Sequence, residues 1–528
     1  MKKIEIYDTT LRDGAQGEGI SFSGIGKIRV AKILDELGVD YIEGGYAASN
    51  PKDMEFFREI KKEKLQHARI AAFGSTRRAG VKAADDAGTL ALIEADTPVV
   101  TIFGKSWAFH VHHVLRTTEE ENRAMIFDTV RFLKSHGKEV VYDAEHFFDG
   151  YKDSPAHALA TLKAAKDAGA DRIVLCDTNG GTPYFEVGDI TREVIKQLGG
   201  LIGIHTHNDS ELGVANSLEA IRAGAMHVQG TINGFGERCG NANLSSIIPN
   251  LGLKMGYAVL SSPEKMKQLK AVSDFVYEMA NVRPNTKAAF VGHSAFAHKA
   301  GMHVDGVSKN PHSFEHIEPE TVGNERRVLI SELSGTSNVF LKAVEMGLHL
   351  DKKSPEVKDI LKQLEAMEKK GYEFEAAEGS FKLLIQKVLK AHKPFFTLEQ
   401  YQVAVAKIQA DQQLVSVATV KLNINGKHVE TKGEGDGPVD ALNQAVRKAL
   451  TPDFPAIADV HLVDYRVRIL DPETATAAKT RVLIESTDGE QTWGTVGVST
   501  NLIEASWEAL VDSMEYKLFL DEQKKSRR

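Results

Sequence analysis

Gly169-Ala170-Asp171-Arg172-Ile173 is the stretch on which the fold turns. A glycine stands where an amphipathic helix must stop, and an apolar strand begins three residues later. Glycine takes the left-handed conformation that ends a helix without a steric penalty. The same joint recurs as Gly38-Val39-Asp40-Tyr41-Ile42 and Gly224-Ala225-Met226-His227-Val228. Outward from these joints, the first half of the chain repeats strand, turn and helix. Strands are expected over 4–7, 41–43, 69–73, 99–103, 140–143, 172–176, 202–205 and 227–230. Val30, Leu34 and Leu37 recur at helical spacing over 28–37. Another helix is expected to start at Ser154-Pro155, an N-cap followed by proline in the first helical position, and to stop before Gly169. Eight such units over about 250 residues match an α/β (β/α)8 barrel, a TIM barrel. A doubly wound open sheet competes, but no GxGxxG follows the first strand to support a dinucleotide-binding version.

The chain is 528 residues long, more than one hydrophobic core of about 250–300 residues can serve. Its 42% hydrophobic and 26% charged content is that of an ordinary globular protein. A net charge of −8 argues against a general nucleic-acid binder. Only Cys176 and Cys239 are present, which excludes a disulfide framework and a cysteine-based zinc site. Met1-Lys2-Lys3 runs directly into a strand pattern, and no apolar run nears the ~20 residues needed to span a bilayer. A cytoplasmic protein with no membrane partner is expected.

A barrel places its chemistry just past the C-terminal ends of its strands. There the sequence has Asp8-Thr9-Thr10-Leu11-Arg12-Asp13-Gly14, Glu43-Gly44-Gly45, Tyr142-Asp143-Ala144-Glu145-His146 and Asp177-Thr178-Asn179-Gly180-Gly181. Strand 7 runs into Gly203-Ile204-His205-Thr206-His207-Asn208-Asp209, and strand 8 into Gly234-Phe235-Gly236-Glu237-Arg238-Cys239-Gly240-Asn241. Residues i and i+2 of a strand share a face, so His205 and His207 can converge on one point. Alone, the pair reads equally well as surface histidines in a turn. With Asp13 and Asn241 it becomes a two-nitrogen, two-oxygen set suited to Mn²⁺, Mg²⁺, Co²⁺ or Zn²⁺, with positions left for substrate. Arg12 beside Asp13 can aim a fixed cation at an oxygen that becomes negative during a reaction.

Residues 8–14 with Gln16, the His205–Asp209 stretch and the Gly236–Asn241 stretch together resemble the Claisen-condensing and aldolase barrel superfamily. Its members include isopropylmalate, homocitrate and citramalate synthases, hydroxymethylglutaryl-CoA lyase and hydroxy-oxovalerate aldolase. The resemblance implies metal binding by Asp13, His205, His207 and, more variably, Asn241, and it assigns ketone polarisation to Arg12. Glu145 matches the family's active-site glutamate and Thr178 a position that hydrogen-bonds the oxo acid. Glu43 is expected to orient Arg12 or substrate.

A mostly helical linker is expected over 261–410 after a catalytic barrel over 1–260, with helices over 263–280, 334–347 and 355–370. The histidine- and glycine-rich stretch 292–306 reads as a loop. It resembles the His-x-x-Gly-x-His-x-Asp-Gly segment that condensing synthases carry and lyases lack, which implies that His303 is a catalytic histidine, often reaching the partner subunit's site in a homodimer. Relatives usually have a tyrosine where this chain has Phe314, which cannot donate a hydrogen bond. Either the hydroxyl is dispensable, or His312 or water substitutes. From about residue 411 the pattern changes to strands: 462–470, 480–485 and 492–498 precede a helix over 502–518, and Gly433-Glu434-Gly435-Asp436-Gly437 reads as a loop before a helix over 439–450. That loop either turns the chain or offers its amides to an anion. The segment 411–528 resembles the α+β regulatory domain of isopropylmalate and citramalate synthases, which implies an amino-acid effector.

Three classes of function compete: condensation of acetyl-CoA with a 2-oxo acid, a retro-aldol or thioester lyase, and a metal-dependent hydrolase or pure sensor. An amidohydrolase-type barrel would place His-x-His after strand 1, and lyases lack the extension carrying His303. Condensation is therefore expected, with either Glu145 or His303 taking the methyl proton of acetyl-CoA. Residues 99–107 and 142–151 look most like the citramalate synthase branch. Tyr142 and Phe103 are expected to shrink the pocket to suit pyruvate, with isoleucine as the inhibitor; isopropylmalate or homocitrate synthase is the alternative.

Overall fold

Eight parallel strands close on themselves in the order β1 to β8, with β8 pairing back onto β1. They are β1 Glu5–Asp8, β2 Tyr41–Tyr46, β3 Arg69–Ser75, β4 Val99–Lys105, β5 Glu139–Glu145, β6 Arg172–Asp177, β7 Ile202–Thr206 and β8 His227–Gly230. In this computed structural model, residues 1–48, 51–329, 338–341, 354–407, 414–471 and 477–526 are described. The barrel is the one expected. Most of its strands run one to three residues further than the apolar pattern alone indicates, into the polar rim.

Each strand is buried on both faces, which explains the nearly continuous apolar runs. Tyr7, Tyr41, Ala71, Val99, Val141, Val174 and Cys176 meet inside the barrel. The alternate positions, among them Ile42, Val100, Tyr142, Leu175 and Val228, pack outward against helix residues such as Val30, Leu34, Ile126, Leu162 and Val187. The three joint glycines have φ of 90° (Gly38), 98° (Gly169) and 122° (Gly224), the left-handed region their positions require. Ser154 does precede the helix Pro155–Ala168, but its hydroxyl makes no capping hydrogen bond. Pro155 stands in the first helical position, and the Ser154 carbonyl accepts from the Ala158 amide.

The chain divides into two units, one of residues 1–296 with 317–326 and one of 297–316 with 327–528. In the first, a 3-10 segment Pro263–Gln268 leads into the helix Leu269–Met279, where a single helix was expected. Residues 317–326 return to this unit, and Asn324 Nδ2 donates to the carbonyls of Phe290 (2.9 Å) and Gly292 (3.0 Å).

The second unit opens with the short pair β9 Ala297–His298 and β10 Arg327–Val328. Between them lies a helix, Gly301–Lys309, where the glycines and histidines suggested a loop. Val304 and Val307, one turn apart, are buried and hold it. Helices Pro355–Lys370 and Glu378–Val388 follow. Two three-stranded antiparallel sheets complete the unit: β11 Thr397–Ala406, β12 Val415–Ile424 and β13 Lys427–Gly435, then β14 His461–Ile469, β15 Thr480–Thr487 and β16 Thr492–Ser499. The helices Pro438–Leu450 and Leu502–Ser526 pack on them through Leu442, Val446, Leu450, Leu510 and Met514. β11 precedes residue 411, where the strand pattern was expected to begin. Apart from 338–341, the helix expected over 334–347 lies outside the described residues, as does the boundary at 410/411.

Candidate metal centre and active site

The turn after β1 is locked by its first aspartate. Asp8 accepts from the Thr10 amide and the Thr10 hydroxyl, each at 2.9 Å, and the Thr10 hydroxyl oxygen accepts from the Ile232 amide at 2.9 Å. Burial pushes the Asp8 carboxyl up to about 7. This carboxylate shapes the loop, and the loop delivers Arg12 and Asp13 to the barrel mouth.

His205 and His207 project from the end of β7 on one face, as their spacing requires. His205 Nε2 lies 3.3 Å, and His207 Nε2 3.7 Å, from Asp13 Oδ2. One ligand atom from each of the three residues lies within 4.8 Å of the other two, close enough to hold a metal ion. Asn241 is tied to His207 by an isolated antiparallel bridge. Its Nδ2 donates to the Phe235 carbonyl at 3.2 Å, while its buried Oδ1 has no hydrogen-bond partner. A buried amide oxygen without a partner is costly unless something else satisfies it. That observation, with the mixed nitrogen and oxygen donors, fits a divalent cation. Gly236 lets the loop fold this tightly, since a Cβ there would fall 2.2 Å from Asn241 Nδ2.

The electrostatics agree. Burial would raise the Asp13 carboxyl, but Arg12 and the two imidazoles outweigh it and hold Asp13 well below the usual carboxylate range. Arg12 donates from Nε to Glu43 Oε1 at 2.5 Å, and its Nη1 stands 3.5 Å from Asp13 Oδ1. Glu43 also accepts from the Tyr7 hydroxyl at 2.7 Å. The guanidinium lies 3.7 Å over the Phe73 ring, which stacks on Phe103 with centroids 5.5 Å apart. Arg12 is thereby held at an acidic edge and an aromatic face, with its remaining donors free to meet an oxyanion.

Beyond this group, Glu145 ends β5 and is ion-paired with Lys105 of β4. The Thr178 hydroxyl oxygen accepts from the His146 amide at 2.9 Å. His303 lies in the second unit, exposed on the helix Gly301–Lys309, with its ring 4.4 Å from that of Phe314. Phe314 thus offers His303 a ring face in place of a hydroxyl. Tyr142, expected in the substrate pocket, is not there. Along β5, Val141 belongs to the inner cluster and Tyr142 to the outer one, where it packs against Gly104. The inward neighbour is Asp143, whose carboxyl burial pushes up to about 7. Phe73, Asp143, Gln229 and Arg238 also belong to this neighbourhood without having been singled out. Strand alternation could have found the first three, whereas Arg238 comes from a loop with φ of 55°.

The comparisons with known proteins agree with this geometry. Residues 3–276 match the HMGL-like family, residues 290–372 the homocitrate synthase post-HMGL domain-like family, and residues 375–518 the LeuA allosteric (dimerisation) domain. The (R)-citramalate synthase of Geobacter sulfurreducens is 54% identical over 99% of both chains, and that of Aquifex aeolicus 52% identical over the same shares. The chain belongs to the citramalate synthase family. A 2-isopropylmalate synthase of Sulfolobus acidocaldarius is also similar, at 35% identity over 72% of this chain and 94% of its own. Membership of the citramalate synthase family makes this chain an acyltransferase built on an HMGL-like barrel. Among the described residues, no helix is long and apolar enough to cross a membrane.

Proposed function

We propose that this chain condenses acetyl-CoA with pyruvate and water to give citramalate and CoA, with Asp13, His205, His207 and Asn241 holding a divalent metal ion (Mn²⁺, Mg²⁺, Co²⁺ or Zn²⁺). The observation that carries the reading is the buried Asp13–His205–His207 group beside a guanidinium fixed by Glu43. A bound divalent ion supplies Lewis acidity to the ketone oxygen of the oxo acid. Arg12 presents a pre-oriented cation to the same oxygen, so the alkoxide formed on attack needs little reorganisation around it. Thr178 offers its hydroxyl proton to the oxo acid's carboxylate. Glu145, ion-paired with Lys105, or His303 takes a methyl proton from acetyl-CoA. The enolate carbon then bonds to the ketone carbon, the alkoxide gains a proton, and water cleaves the thioester to release CoA.

Phe103 and Phe73 narrow the mouth near Arg12, which favours pyruvate's methyl over larger groups. The LeuA-type segment supports a homodimer with an amino-acid effector, for which we assign isoleucine. Two free cysteines, one of them exposed, suit a reducing cytoplasm. The division into barrel, linker and regulatory parts near residues 260 and 410 belongs to the same reading.

Thiol release measured in parallel with pyruvate, 2-oxobutanoate, 2-oxoisovalerate and 2-oxoglutarate tests it, with pyruvate expected fastest. Faster turnover with 2-oxoisovalerate would transfer the chain to the isopropylmalate synthases. His207→Ala is expected to abolish metal retention and activity together, and full activity in chelator would refute the metal centre. Isoleucine is expected to inhibit the intact enzyme but not one lacking residues 411–528.

A further inference from the structure

The two histidines differ in what holds the ring nitrogen facing away from Asp13. His207 Nδ1 accepts from Arg238 Nη2 at 2.6 Å, and Arg238 also donates to Asp209 at 2.7 and 3.0 Å. His205 Nδ1 instead faces Gln229 Oε1 at 2.9 Å. Gln229 sits on β8, directly opposite His205 in the register, and is fully buried. An amide can present either its oxygen or its nitrogen, and here the choice is made by a third residue. Gln229 Nε2 donates to Asp143 Oδ1 at 3.0 Å, which turns Oε1 toward the imidazole.

We propose that Gln229, oriented by Asp143, is the positioning residue that keeps a proton on His205 Nδ1, so that Nε2 is the nitrogen left to ligate an ion beside Asp13. The inference rests on the metal-centre reading above. Imidazole ligates through an unprotonated nitrogen, and whatever bonds to the other nitrogen decides which one that is. With Nδ1–H donated to Gln229, Nε2 is the nitrogen that His205 gives to an ion. His207 is not so set: to offer Nε2 it must carry its proton on Nδ1, and Arg238 must then give up that contact for Asp209. The centre thus has one preset arm and one that rearranges. Three residues from three strands, β5, β8 and β7, form the preset arm.

The test is Mn²⁺ affinity of the chelator-stripped, full-length protein, by titration calorimetry. Gln229→Leu keeps the bulk and removes the acceptor, and is expected to weaken Mn²⁺ binding roughly 10–100-fold. The double substitution Gln229→Glu with Asp143→Asn restores both hydrogen bonds with the roles of amide and carboxylate exchanged. It is expected to bring affinity back to within about threefold of wild type, a rescue that mere space-filling would not produce. Wild-type affinity in Gln229→Leu, or no rescue by the double substitution, overturns the proposal. If Gln229→Leu does not fold, Gln229→Met is read in the same way. His207→Ala run alongside separates the two readings. Loss of Mn²⁺ there with full affinity in Gln229→Leu overturns the role of Gln229 alone, and full affinity in both overturns the metal centre itself.

Discussion

Tyr142 and Asp143 are neighbours in the chain and face opposite sides of the barrel wall. Successive strand residues alternate faces, so a strand that points Glu145 inward must also point Asp143 and Val141 inward and Tyr142 outward. That much is legible in Val140-Val141-Tyr142-Asp143-Ala144-Glu145, where parity, and not bulk, decides which side chains face inward. Phe103 has the inward parity, shared with Val99 and Thr101, and it stacks on the ring beneath Arg12. Phe103→Ala is therefore expected to raise the rate with 2-oxobutanoate relative to pyruvate by roughly tenfold, the worth of about one methylene's space. Tyr142→Phe is expected to leave that ratio unchanged. Parallel kcat/KM measurements with the two acceptors check both, and a changed ratio in Tyr142→Phe would return Tyr142 to the pocket.

At the level of elements, glycine was the ambiguous letter. Gly433 and Gly435 read as a loop, yet both lie in β13, where they make room for a helix. A Cβ on Gly433 would fall 2.2 Å from the Ala441 carbonyl oxygen and 2.4 Å from the Ala445 amide nitrogen. Gly497 of β16 repeats the arrangement, its Cβ position 2.0 Å from the Ala505 carbonyl oxygen. In both halves of the domain a glycine in the third strand lets the following helix lie close against it. Backbone cannot move aside as a side-chain tip can, so Gly433→Ala and Gly497→Ala are each expected to cost about 2 kcal/mol or more. The thermal midpoint of the intact protein measures this, and unchanged midpoints would mean the helices can shift outward at little cost. The loop expected over 292–306 gives way to helix from Gly301 onward for the converse reason. Burial of Val304 and Val307 outweighs the weak helix propensity of glycine and histidine.

Across the whole barrel, charge is sorted by end. The rim after the strands carries the candidate chemistry, while the first residues of six strands join in one ionic network at the opposite end. Arg172 of β6 donates to Glu5 of β1 at 2.5 and 2.6 Å and to Glu139 of β5 at 2.7 Å. Tyr41 of β2 donates to Glu139 at 2.9 Å, Arg69 of β3 is paired with Glu139, and His227 of β8 stands 3.2 Å from Glu5. Arg172→Met removes three charge-assisted hydrogen bonds from this half-buried network and leaves Glu5 with His227, and Glu139 with Arg69 and Tyr41, so it is expected to destabilise the barrel by about 2 kcal/mol. Burial raises the Glu5 carboxyl, but Arg172 and His227 outweigh it and bring it from 4.5 to about 2. A carboxyl depressed in the folded state adds stability above its unfolded value and loses it as pH falls from about 4.5 through about 2. Thermal midpoints between pH 6 and 3 should fall in the wild type and fall less steeply in Arg172→Met. Equal slopes would show that Glu5 is not held by Arg172.

The sequence by itself determined what is local or periodic. The joint glycines, the alternating runs and the His-x-His spacing follow from backbone sterics and the two repeat lengths of helix and strand. They were enough for the eight-stranded barrel and for the convergence of His205 and His207. Only the tertiary structure decided what depends on closure. Barrel closure brings Asp13 from the first strand's loop to histidines on the seventh, and it sets Gln229 of the eighth between His205 and Asp143 of the fifth. These residues are far apart in sequence, so no spacing or propensity encodes their meeting; the shared interior of a closed sheet does.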